Sequence, residues 1–154
     1  MKRLNLLEWA IATLIAALVV VVFAQVALRY LTYQPLVWTE EVGRYVFIWL
    51  SLLGAAAGAG RAGHFAVDVL PRRLPPRAGR GLRAGIRLTE AALYAILGWT
   101  GLLIVRVTHL QTSPSVNIPM SIPYAALPVA GFLMCAFSLR QALAELRGTR
   151  KEPA

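Results

Sequence analysis

Uncharged, largely apolar stretches cover residues 9–28, 45–60, 91–105 and 108–139, the last with its membrane part from Ser121. Crossing a hydrocarbon core takes about 20 mostly apolar residues, so the shorter stretches draw in flanking residues such as Val42, Gly43, Ile86 and Leu88. The pattern predicts an all-α integral membrane protein with four transmembrane helices at about 6–28, 42–60, 86–106 and 121–140. Residues 1–154 then form a single membrane domain, with 141–154 as its tail and short interfacial helical segments between spans.

Composition agrees: 58% hydrophobic and 15% charged residues exclude an ordinary soluble domain. If the spans alternate, 13 of the 16 basic residues fall on the side of the termini and of the second connection, and only Arg29, Arg44 and Arg106 fall opposite. Short loops rich in Lys and Arg stay in the cytoplasm, which predicts a multi-pass protein with both termini cytoplasmic. The net charge of +9 is then an orientation signal and a means of contact with anionic membrane lipids. Nucleic acid is not an expected partner, because the arginines hug membrane spans. Val22-Phe23-Ala24 before Gln25 also satisfies the rule for signal-peptide cleavage, but the preceding run is at the upper limit for such a peptide, and an uncleaved anchor is expected. Cys135 is alone, so no disulfide or thiol pair is expected.

The densest chemistry lies at 25–44, where two spans meet the membrane edge. Gln25 and Arg29 share a helix face by their spacing of four. Arg29 can reach the headgroups, and Tyr30 suits the interfacial belt. Pro35 suits a first helical turn, and the turns that follow carry Trp38, Glu40, Glu41 and Arg44. Either carboxylate can pair with Arg44, at i to i+4 or i to i+3. Two acids against one local base leave a carboxylate that faces water or finds Arg29 or a partner chain. Gly54 and Gly58 have the G-x-x-x-G spacing that admits a second helix at close range, from this chain or another.

Beyond Gly60, His64 and Asp68 stand four apart before Pro71, Pro75 and Pro76, which prevent a long regular helix. A short interfacial helix up to Val69 is expected there. One histidine with one acid is thin support for a proton or metal site. Arg87 and Glu90 are spaced for a local pair. The polar, proline-punctuated stretch 110–123 reads as an exposed turn, and Pro128 should kink the last span.

The middle of every span is uncharged, which argues against an autonomous channel or carrier, since these need polar groups at membrane depth. A haem-bearing or structural membrane anchor of a respiratory enzyme is the alternative of the same size. Its haem would need two ligands at one iron. His64 and His109 fall on opposite sides, separated by roughly the 30 Å hydrocarbon core.

Taken in order, Arg29-Tyr30, W-x-E-E-x-x-R from Trp38 to Arg44, the small-residue end of the second span, R-x-G-H-F-x-V-D from Arg61 to Asp68, and I-P-x-x-x-x-x-P into the last span form a pattern. It resembles the DctQ-like small membrane subunit of tripartite ATP-independent periplasmic (TRAP) transporters, from about Leu6 to Leu146. The resemblance implies a non-catalytic inner-membrane subunit without cofactor, scaffolding a large multispanning permease subunit. That larger subunit would carry out sodium-coupled import of an organic acid delivered by a periplasmic substrate-binding protein. Trp38, Glu40, Glu41 and Arg44 match the first motif, His64 and Asp68 the second. The resemblance implies that the first group locks the fold and the large-subunit contact, and it places no transport-site residue in this chain.

Overall fold

The structure is a computed structural model, described here for residues 6–32, 37–61 and 75–147. Its helices are α1 (Leu6–Thr32), α2 (Val37–Gly60), α3 (Pro76–Thr108), α4 (Ser121–Tyr124) and α5 (Ala126–Leu146). Among the described residues four segments are long and apolar enough to cross a membrane, the last being α4 and α5 together. His64, Asp68 and the short helix expected up to Val69 lie outside the described residues.

Local chemistry sets the ends. Pro75 precedes α3 and Pro76 opens it, where a missing amide hydrogen costs no helical bond. At the start of the last span, Pro128 cannot donate to the carbonyl four residues earlier, that of Tyr124. The regular bonding lapses there, and the turn at Ala125 separates α4 from α5. Ala125 keeps right-handed helical angles and its amide bonds Ser121 O at 2.8 Å, so the expected kink takes the form of a lapse in a continuing helical path.

All four membrane helices run past the expected spans, α3 and α5 the furthest. α3 begins at Pro76 rather than near 86, and its 33 residues extend about 50 Å at ~1.5 Å per residue, beyond an apolar core of roughly 30 Å. α5 continues to Leu146, so the first part of the expected tail is helical. The two extensions meet where Arg83 Nε lies 3.3 Å from the buried Glu145 carboxylate; within α3, Arg87 bonds Glu90 at 2.9 Å, the local pair expected from spacing.

The helices form an open row in the order α1, α2, α5, α3. Backbones approach closely between α1 and α2, α2 and α5, and α5 and α3, while among the described residues α1 meets neither α3 nor α5, and α2 does not meet α3. A small core of Ala56, Ala59, Ala130 and Met134 joins α2 to α5, with Leu52, Tyr94, Leu97 and Leu133 packed around it.

The tightest crossing is between α3 and α5. A methyl group on Gly131 would stand 2.6 Å from Gly98 N, and one on Gly101 would stand 2.9 Å from Leu127 Cβ and from the Pro128 ring. Gly54 and Gly58 behave differently. A methyl group on either meets nothing within 4 Å, so none of the described helices occupies the G-x-x-x-G face of α2. Ala56 and Ala59, on another side of the same helix, pack on α5 because α5 offers Ala130 and Met134 at that level.

Candidate functional site

The first turns of α2 put neighbouring carboxylates to different uses. A helix turns about 100° per residue, so adjacent side chains face different surroundings. Glu40 points outward and binds Arg44 Nη2 at 3.0 Å, with both side chains about two-thirds exposed. Glu41 points inward with Thr39 and Gly43, at 8% exposure. Glu41 therefore does not share Arg44, and among the described residues it does not pair with Arg29 either; Arg29 is exposed at the end of α1.

Neutral donors satisfy Glu41. The Tyr45 phenol, one turn along α2, donates to Oε1, and the backbone amide of Ser115 donates to Oε2 at 3.1 Å. The side chains of Ser113 and Ser115 also face the carboxylate. Tyr45 Oη in turn lies 3.4 Å from Met120 Sδ, a weak acceptor. A carboxylate taking bonds from oriented dipoles keeps its charge at the membrane edge without a cation.

The connection 109–120 is shaped to reach this carboxylate. Ser113 N bonds Ile118 O at 2.9 Å, Met120 N bonds Gln111 O at 2.8 Å, and Thr112 and Pro119 form an isolated antiparallel bridge. Asn117 turns the chain at φ 55°, in the left-handed region that asparagine tolerates better than most residues. Ser113 is 1% exposed, so the stretch expected to be an exposed turn is a folded loop seated on α2. Its outer residues, Gln111, Thr112, Pro114 and Asn117, do face outward. At its end His109 Nδ1 lies 3.4 Å from Ser121 Oγ.

The remaining sequence-predicted residues are dispersed. Gln25 is half-buried on α1, Tyr30 is 76% exposed and Trp38 48% exposed, positions suited to the interfacial belt. Tyr45, Ser113, Ser115 and Met120 were missed as site residues. Tyr45 alone carried a local signal, by standing four residues after Glu41; the others are 72 or more positions away in the chain, read off the numbering. Also missed was the opposite end of the row. There Arg61 bonds Glu8 at 2.7 Å, tying the end of α2 to the start of α1, and Gln141 Nε2 bonds Ala59 O at 2.8 Å, tying α5 to α2.

Chemically the site is a latch that fixes a loop to a helix. Among the described residues no three His, Cys, Asp or Glu side chains stand together as metal ligands would.

Comparison with known proteins gives this arrangement a context. Residues 18–148 match the family model described as tripartite ATP-independent periplasmic transporters, DctQ component. A putative TRAP transporter small permease protein of Haemophilus influenzae is 30% identical over 91% of this chain and 87% of its own length. The sialic acid TRAP transporter small permease protein SiaQ of Vibrio cholerae is 27% identical over 84% of this chain and 75% of its own. The isethionate TRAP transporter permease protein DctMQ of Oleidesulfovibrio alaskensis is 33% identical over 72% of this chain, and the match spans only 18% of that longer protein.

Proposed function

We propose, for a chain that belongs to the DctQ component family of tripartite ATP-independent periplasmic transporters, the role of a fixed membrane brace. It holds a large permease subunit that performs sodium-coupled import of an organic acid handed over by a periplasmic binding protein. The chain itself is non-catalytic and sits in the inner membrane with both termini in the cytoplasm, an orientation supported by the concentration of Arg and Lys at that end.

The observation that carries this reading is the open row. A carrier needs polar groups at mid-membrane, enclosed between helices. Here the charged residues gather at the two ends of the spans, and among the described residues α1 and α3, at the ends of the row, do not meet. An open row leaves both flanks of the molecule apolar: Val19, Phe23 and Val26 on α1 and Ile96, Trp99 and Leu103 on α3 are all 45% or more exposed. Such flanks suit a large hydrophobic neighbour and lipid. The DctMQ relative, in which the matching region is a minor part of a longer permease, is consistent with a small and a large part working as one unit.

Affinity purification of the tagged chain from native membranes is the test. Recovery of a much larger multispanning protein in constant ratio is expected. Recovery of an iron–sulfur or flavin subunit instead, or sodium-driven uptake by liposomes holding this chain alone, would overturn the proposal.

A further inference from the structure

The Glu41 latch contains one group that the scaffold role does not use, the thioether of Met120. Of the two methionines among the described residues, Met134 lies in the α2–α5 core at 5% exposure, whereas Met120 is half-buried in the loop at the other end. Met120 also closes the loop through its own amide, which bonds Gln111 O at 2.8 Å. Its sulfur is 3.4 Å from the Tyr45 hydroxyl, the same hydroxyl that donates to Glu41.

We propose that Met120 is an oxidation site, and that its sulfoxide releases the loop held by Glu41. The oxidant is a hydroperoxide. The sulfur attacks one peroxide oxygen, an S–O bond forms as the O–O bond breaks, and the other oxygen leaves with the proton, as water when the reagent is hydrogen peroxide. Sulfur gives up two electrons and the peroxide takes them. The product is a polar side chain that methionine sulfoxide reductases restore.

The consequence follows from proton counting at Tyr45. A phenol has one hydrogen to donate. A thioether competes weakly for it, so Glu41 holds it now. A sulfoxide oxygen competes strongly, and a polar group in this half-buried place needs a donor or an exit to water. If the phenol turns to the sulfoxide, Glu41 loses a donor. If the sulfoxide swings out, it pulls on the 111–120 closure. Both routes loosen the loop, and neither depends on which partner the brace serves.

The test uses the full-length chain in detergent, with Cys135→Ala as background so that thiol oxidation makes no contribution, and graded hydrogen peroxide. Peptide mass mapping is expected to find Met120 gaining an oxygen at least about tenfold faster than Met134, in line with the dependence of sulfur oxidation on access. Deuterium uptake across 110–120 should rise with the oxidised fraction and return after treatment with the reductases. Met120→Leu should show no peroxide-dependent rise, and in Tyr45→Phe the rise on oxidation should be smaller. Equal oxidation rates at Met120 and Met134, oxidation without added uptake, or the same rise in Met120→Leu would overturn the proposal.

Discussion

Ser115 and Glu41 stand 74 positions apart in the chain and meet through a 3.1 Å bond from the amide of one to the carboxylate of the other. That contact ties the loop that follows α3 to the first turns of α2, and among the described residues α2 and α3 do not otherwise approach each other. In an open row such ties do work that a closed bundle distributes over its core. The Glu41 contact holds one end, and Arg61–Glu8, Arg83–Glu145 and Gln141–Ala59 hold the other.

Glu41→Ala is expected to lower the thermal midpoint of the purified chain clearly and to raise deuterium uptake across 110–120, because the Tyr45 hydroxyl and the Ser115 amide lose their acceptor. Glu40→Ala should do neither, since that carboxylate meets Arg44 in an exposed pair. Equal effects of the two substitutions would refute the division of labour between these acids.

Arg44→Ala separates folding from assembly. The isolated chain should unfold at an unchanged midpoint, because the Glu40 pair is exposed. On the proposal that this cluster faces the large subunit, co-purification of that subunit should drop. Unchanged recovery would confine Arg44 to a solvated surface.

Gly131→Ala should destabilise by at least about 1–3 kcal/mol, the usual cost of overpacking, because the added methyl would stand 2.6 Å from backbone Gly98 N, an atom that cannot swing aside. Gly58→Ala meets open space and should be neutral or stabilising by up to about 1 kcal/mol through helix propensity. Unfolding of the two variants in mixed detergent measures the contrast. A loss at Gly58 only in the assembled complex would locate the partner on that face.

Glu145→Ala removes an acceptor of Arg83, whose side chain is 17% exposed. Breaking a buried pair by deleting one partner costs about 3–5 kcal/mol, and partial access of water to Arg83 places the loss toward the lower end. Protease sensitivity of the α3 and α5 extensions should increase in step. Stability equal to that of the parent would show that this pair does not hold the extensions together.

Much of this molecule could be read from its sequence, and the reasons are local. A run such as 9–28 has no alternative to a helix in lipid, because backbone polar groups there must bond within the segment. Pro128 marks a lapse in such a run because it has no amide hydrogen to donate, whereas Pro76, expected to prevent a long helix, opens α3. The spacing of Arg87 and Glu90, or of Glu40 and Arg44, fixes their proximity on any helix. The same local rules could not tell which of Glu40 and Glu41 would pair with Arg44, since both spacings permit it.

The sequence by itself therefore determined the number of membrane helices, the lapse at Pro128 and the Arg87–Glu90 pair, because each depends on residues close by in the chain. Tertiary structure decided the rest. The row order, the burial of Gly98, Gly101 and Gly131 in place of Gly54 and Gly58, and the capture of Glu41 by Tyr45 and Ser115 depend on which faces meet. In a membrane every apolar face is equally at home against lipid, so faces are chosen by the closeness of backbone fit and by the need of each buried polar group for a donor or acceptor. Both depend on segments far apart in the chain.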